Sequence, residues 1–532
     1  MGMHGGTVER VVRFRAPGAA AAVVQVEDGG AFAAASNGTV WEATVSGTAG
    51  ARYWISLDGG PPLLDPHCAD LEMTDEGPRS VLRGPWPRER RGTPLADAPV
   101  VYELHVKGFG GGYLGCIERL DHVVSMGANV VELMPVHPFD DRDNHWGYMP
   151  LVWGAVHRGY ATEPHRAAEE LAELVRAAHD RGLHVWLDVV FNHTGEDHPP
   201  TKAAGLRRLD PSVYRGESAG RPSNDSGCGN DVEPGHPWVR ELVLEGLQRL
   251  VDLGVDGFRF DLASLLTRDG GGLVTRISEW AEQRGVVCVA EPWDMGAYQL
   301  GRGWPWPEWL QWNDRFRDDV RGFLRGEPGL VRAVRMRVQG SPDLLGPDGA
   351  VRSLNFVTAH DGLTMHDLTI MDHDRHHAWD CGPGLRMQQL KNYFGVLLLS
   401  AGTPMWVMGD EFARTQGGHD NPYDVDGPLT HVDWQRAGEW SELTDFVRRL
   451  VALRRQRPMT DFRFHGVDDA VDEGWHSHSL AWSAGDLYVM VNAWWEPLRF
   501  GLHEPGPWRA VLWSAEPDGL TVAPRSLVVF ER

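Results

Sequence analysis

The sequence predicts a (β/α)8 barrel with a small β-sandwich at its N-terminal end and another at its C-terminal end, and three observations predict it. Eight short apolar runs between residues 100 and 411 alternate with amphipathic helical stretches, as parallel strands covered by helices and buried on both faces must. Before about residue 82 and after about residue 450 the pattern changes to short alternating runs, such as "RYWISL" and "GDLYVMVNAWW", separated by Gly, Asp and Pro. Acids and histidines gather where the apolar runs end, and in such a barrel the chemistry sits at the C-terminal ends of the strands. An open, doubly wound sheet is the alternative arrangement.

Taken in order, residues 1–90 form the first sandwich, residues 91–448 the barrel and residues 449–532 the second sandwich. "RGPWPRERRGTPLADAP" at 83–99 is the Pro- and Arg-rich connection between the first two. The barrel strands are read at "VVYELHV", "NVVELMPV", "HVWLDVVFNH", "VDGFRFD", "VVCVAEP", "LQWND", "LNFVTAHD" and "PMWVMGDE". Between the second and third, "HRAAEELAELVRAAHDRG" places Leu171, Leu174, Val175 and Ala178 on one helical face. An irregular insert at 194–236, rich in Pro, Gly, Asp and Ser, follows the third strand.

A formal net charge of −23 argues against nucleic acid or an anionic membrane as partner, because phosphate binding draws on clustered Lys and Arg. Five cysteines, odd in number and widely separated, point to free thiols in a reducing compartment. With no secretory pattern at the start, the expected location is the cytoplasm. The longest apolar stretch, 394–409, is too short for a membrane span and is interrupted by Gly and Pro. Twenty-three tryptophans suit sugar rings, whose flat apolar faces match an indole, although each one alone reads as packing.

In "GFRFDLA", 257–263, strand alternation turns Phe258 and Phe260 one way and Arg259 and Asp261 the other. A guanidinium beside a carboxylate favours its ionised form, which suits a nucleophile and equally suits a structural ion pair. Three further strands break the tie. The third ends with Asp188, Asn192 and His193, the fifth with Glu291 in "AEPWD", and the seventh with His360 and Asp361 in "TAHD". Convergence on one barrel mouth is simpler than four independent structural pairs. Two carboxyl groups across a scissile bond fit retaining glycoside hydrolysis. Asp261 is the candidate nucleophile. Glu291, in the apolar company of Val289, Pro292 and Trp293, is the candidate acid/base, and Asp361 the stabiliser of positive charge. His193 and His360 are candidate hydrogen-bond partners of the sugar, with Arg259, Asp188, Trp293 and Trp146 grouped among the substrate-binding residues.

The segments "DVVFNH", "GFRFDLA", "AEPWD" and "FVTAHD" resemble, in order, the four signature regions of the α-amylase family of glycoside hydrolases. The resemblance implies the same three roles for Asp261, Glu291 and Asp361, Tyr148 of "HWGYMPL" stacking under the cleaved sugar, and a carbohydrate-binding type for the N-terminal sandwich. Within the family, "VYELHVKGF", "GCGND", "TAHDGLTMHDL" and "GDEFARTQGGHDNPYD" are most similar to isoamylase-type glycogen-debranching enzymes. That likeness implies hydrolysis of α-1,6 branch points in a branched α-glucan with no redox or nucleotide cofactor. Calcium is bound in parts of the family, but no Asp-rich loop here spells out such a site.

The chain departs from the pattern at "TIMDHDRHHAWDCGPG", 369–384, where such enzymes carry a longer loop. Its Asp372, His373, Asp374, His376 and His377 lack ligand periodicity and read as a solvated loop or sugar contacts, so no metal ligand is assigned. In "GWPWPEWLQW" one or two of Trp304, Trp306, Trp309 and Trp312 are expected to line a glucan groove. "VYELHV" is also similar to maltooligosyltrehalose trehalohydrolases, the rival activity within the family. A non-catalytic glucan-binding protein is the rival from another class, disfavoured by the presence of all three carboxylates.

Overall fold

The computed structural model describes residues 6–199, 201, 205–216 and 223–532. The first five residues and parts of the expected 194–236 insert lie outside the described residues.

Two antiparallel sheets form the N-terminal region. One joins Thr7–Arg15, Val40–Thr48 and Ala35–Asn37; the other has Ala22–Val26 and Arg52–Leu57 among its five strands. Alternating residues of both sheets, including Val12, Phe14, Val24, Val45, Tyr53 and Ile55, are buried in a common core.

The expected barrel is present and closed. Its eight parallel strands are Val101–Leu104, Val130–Leu133, His184–Val189, Gly257–Phe260, Val287–Ala290, Leu310–Asn313, Ser353–Phe356 and Thr403–Val407, with the last pairing back onto the first. Alternation sorts each strand into an outward and an inward set. Phe258 and Phe260 meet the surrounding helices and loops through Trp280, Phe191 and Trp309. Val101, Val130, Trp186, Val289, Trp312, Leu354 and Met405 fill the inside as a separate apolar cluster. Gly257 lies beside Trp186, where a Cβ would come within 2.6 Å of the indole. A side chain there would displace the ring that plugs the barrel.

The C-terminal region is a five-stranded antiparallel sheet, ordered Arg463–His465, Ser479–Ala484, Leu487–Asn492, Ser526–Glu531 and Arg509–Trp513, with a two-stranded ribbon, Leu498–Arg499 and Thr521–Val522. One face packs on the barrel helix Pro383–Leu398, where Leu527 occupies the space left by Gly395. The other face closes over Tyr488, Met490, Phe500 and Val528. Among the described residues no helix is long and apolar enough to cross a membrane.

Candidate active site

Arg259 is the hub. It is 1% exposed, and its Nη1 donates to Asp188 Oδ2 at 2.8 Å and to Asp261 Oδ1 at 3.1 Å, while Nη2 lies 3.0 Å from Glu291 Oε2. The Trp312 ring lies under its guanidinium carbon at 4.3 Å. These contacts follow from strand register, because Asp188 is the direct neighbour of Arg259, which in turn pairs with Val289, two residues before Glu291. The shared guanidinium brings Asp261 and Glu291 to one place at the barrel mouth, and retaining glycosidases use two carboxyls about 5–5.5 Å apart. Asn192 Nδ2 also donates to Asp261 Oδ2 at 2.9 Å, and the Leu262 N–H donates to Glu291 Oε2 at 2.7 Å.

The two carboxyls flanking the cavity differ in proton affinity. Burial pushes Glu291 up to about 8, against the opposing pull of Arg259 and with a further push from Asp261. Burial would also raise Asp361, but His360, Arg317 and Arg259 outweigh it and hold that carboxyl below its ordinary range. At neutral pH the first carries a proton and the second a charge. Both line a cavity of about 440 Å³ together with Trp293, Tyr298, Trp312 and Arg317.

His360 and Tyr148 pack together beside Asp188 and Asp361. Their rings stack at 5.0 Å with 25° between planes, Trp146 meets His360 edge-on, and the Tyr148 hydroxyl donates to Asp188 at 2.5 Å. Trp293 lies parallel to Tyr298 at 6.3 Å.

His193, Arg259 and Asp188, grouped with the substrate-binding residues, are buried and bonded to other protein groups. His193 is 1% exposed, with Nδ1 bonded to Asn192 Oδ1 and Nε2 donating to the Tyr148 carbonyl oxygen, so both ring nitrogens are occupied. Arg259 and Asp188 are equally buried and paired with each other, and Asp188 also accepts from the Tyr148 hydroxyl. All three support the residues that line the cleft. Of the tryptophan cluster, Trp312 lines the cavity, while Trp304 and Trp309 are packed inside the protein.

Sequence reasoning passed over Glu103. Its Oε1 lies 2.7 Å from His360 Nδ1, and with Asp361 it outweighs burial to push the imidazole up to about 9. Glu132, the direct neighbour of Glu103 across two strands, has both carboxyl oxygens buried without a hydrogen-bond partner. Burial, reinforced by Glu103 and Asp188, raises its pKa well above the ordinary range.

Two groups of three side chains bring possible metal ligands within 4.8 Å of one another among the described residues: His145, Asp426 and His431, and His373, His376 and Asp420. Each also reads as a hydrogen-bonded cluster. Asp426 binds Lys107 Nζ at 2.5 Å and His431 at 2.8 Å, and His376 lies 2.9 Å from Asp420.

Residues 73–214 match the family described as alpha amylase, catalytic domain. The chain is 34% identical to "Isoamylase 3, chloroplastic" of Oryza sativa subsp. japonica over 75% of its own length and 61% of that protein, so it spans less than two thirds of this relative. It is 33% identical to a "Glycogen operon protein GlgX homolog" of Mycobacterium bovis, covering 83% of this chain and 69% of the relative. In fold it is similar to a pullulanase from Paenibacillus barengoltzii solved with maltohexaose and alpha-cyclodextrin, with a TM-score of 0.84, 23% identity, and coverage of 100% of this chain and 95% of the other.

Proposed function

The chain belongs to the α-amylase family, in its isoamylase-type branch, and from that premise we propose that it hydrolyses α-1,6 branch points of glycogen or limit dextrin with retention. The observation that carries the reading is the single guanidinium of Arg259 joined to both Asp261 and Glu291. Asp261 attacks the anomeric carbon as the C–O bond breaks, and Glu291 passes its proton to the departing glycosidic oxygen. Asp361, kept ionised, stabilises the oxocarbenium-like charge. Glu291, now a carboxylate, then takes a proton from water, whose oxygen displaces Asp261 and regenerates both groups. Tyr148 and His360 supply the wall against which the cleaved sugar rests. Each step is carried by a side chain, so the proposed reaction needs no metal or organic cofactor.

The neutral polymer suits a chain of net charge −23, which disfavours nucleic acid. Cytoplasmic residence is supported by five cysteines that are all unpaired. Product analysis on glycogen, phosphorylase-trimmed glycogen and a glucan ending in trehalose tests the activity. Linear oligosaccharides from the branched polymers are expected, and free trehalose instead would overturn the reading. Asp261→Ala should lower turnover by roughly 10⁴-fold or more while circular dichroism stays native. Loss of secondary structure in that variant would return the Arg259–Asp261 pair to a structural role.

A further inference from the structure

Two of the most exposed large apolar side chains among the described residues are tryptophans on neighbouring loops of the C-terminal region: Trp475 at 66% and Trp495 at 56%. Both are held from one side. Trp495 stacks on Trp494 with centroids 3.5 Å apart and 23° between planes. Trp494 is fixed in turn, because its carbonyl accepts from Arg525 N at 2.9 Å and its ring meets His478 at 5.2 Å. The six-membered ring of Trp475 lies so close to Gly329 that a Cβ there would approach to 2.8 Å, and the Gly329 N–H donates to the Trp475 carbonyl at 2.9 Å. His478 Nε2 donates to Gly326 O at 2.9 Å and its ring lies 6.1 Å from that of Trp495, so one platform meets the barrel turn 326–329 directly and the other is joined to it through His478.

We propose that Trp475 and Trp495 form a second glucan-binding site outside the cleft, which holds an outer chain of the branched polymer by stacking on its pyranose rings. The proposal rests on the glucan reading of the cleft and adds a surface to it. An indole supported from one side and wet on the other presents apolar area with its conformational entropy already lost. The C–H face of a pyranose covers that area while its hydroxyls remain at the polar rim. Here the rim is acidic and paired, with Glu473 bonded to Arg335 and Glu327 to Arg325. An anionic polymer is disfavoured by the net charge of the chain. A second copy of the chain is a poorer fit, because residues 472–474, His476 and Glu496 around the rings are exposed and mostly polar, and a stable protein interface buries about 1,200–2,000 Å² around an apolar centre. The turn is also linked to the cleft. Glu327 lies 2.8 Å from His377 Nδ1, and the adjoining His376 packs against Gly362, next to Asp361.

Affinity electrophoresis of the full chain in glycogen-containing native gels tests the site. Trp475→Ala with Trp495→Ala should raise the dissociation constant, and the KM on glycogen, by about tenfold at unchanged kcat. On a branched oligosaccharide too short to reach the platforms, kcat/KM should stay at the wild-type value. Trp495→Phe, which keeps a ring on Trp494, should retain most of the binding, and it serves as the reporter if the double variant does not fold. Unchanged retention in the folded double variant, or an equal loss on the short substrate, overturns the proposal. So does a change from dimer to monomer by light scattering at unaffected retention, which would make the surface an interface between copies. Tryptophan-dependent retention of wild-type protein that releases no oligosaccharide supports this site and sinks only the debranching reading.

Discussion

The floor and the upper layer of the barrel interior are made by the same strands, two residues apart. On five strands an apolar or small residue is followed, at the next inward position, by a charged one: Val101 by Glu103, Val130 by Glu132, Trp186 by Asp188, Gly257 by Arg259, and Val289 by Glu291. The floor stabilises, since each buried ring or methyl leaves water and fills space. The upper layer opposes folding, because every ion in it has given up hydration that its partners must replace. Its ionisable groups are accordingly clustered, Arg259 with Asp188, Asp261 and Glu291, and His360 with Glu103. Burial drives Glu132, which lacks a hydrogen-bond partner, towards its neutral form, as it also does Glu291 and Asp188 despite their contact with Arg259.

The largest effect on turnover within the supporting part of this layer is expected at Arg259. Arg259→Lys keeps the charge but replaces a planar fork by one compact ammonium, which cannot hold Asp188, Asp261 and Glu291 at once. Turnover should fall on the order of 100-fold, the scale of losing one preorganised electrostatic contact. An alkaline limb from loss of the Glu291 proton, which burial raises to about 8, is expected in the wild type and should shift in the variant. A lysine variant with wild-type rates would show that the layer needs only net charge.

Glu103→Gln sharpens the comparison further. The pair it breaks is a charge-assisted hydrogen bond, so a loss of about tenfold in kcat/KM at pH 7.5 is expected. His360 stands near 9 in the folded protein against an ordinary value of about 6.5. The stability from this raised value is complete below the ordinary value and disappears as pH rises through about 9. Without Glu103 the imidazole loses its proton earlier, so activity of the variant should recover on acidification towards pH 6. Its melting temperature should differ most from the wild type at pH 6 and least above pH 9. A uniform loss across the pH range would instead mark Glu103 as mere packing.

Much of the upper layer was legible because a charge inside an apolar run is conspicuous. Arg259 and Asp261 in "GFRFD" carried that signal, and so did Glu103 in "VYELHV" and Glu132 in "NVVELMPV". The last two went unread because no run of polar residues follows them to suggest a strand end. The partner of His193 could not be read locally, because its Nε2 is bonded to the carbonyl of Tyr148, 45 positions away in the chain, which only the fold brings near. The same holds for Asp420, brought to His376, and for the exposed indoles of Trp475 and Trp495. Alternation predicts which way a strand residue points, while loop contacts and exposure depend on tertiary neighbours that no local pattern encodes.

The smallest effect on turnover should come from the floor, and it is the sharpest test of whether the layers are separable. Trp186 is fully buried, fills the barrel beside Gly257, and stands one inward step below Asp188. Trp186→Ala leaves a cavity that the surrounding strands cannot collapse around, with an expected cost of about 3–5 kcal/mol in unfolding free energy. The upper layer has its own framework, since Asp188 is tied to Arg259 and Tyr148 rather than to the indole. Denaturant unfolding should therefore show the full loss of stability, while turnover per folded molecule, measured well below the transition, changes by less than a few-fold. If turnover fell in proportion to stability, the apolar plug would have to be setting the position of Asp188, and the floor would belong to the active site as much as the charges above it.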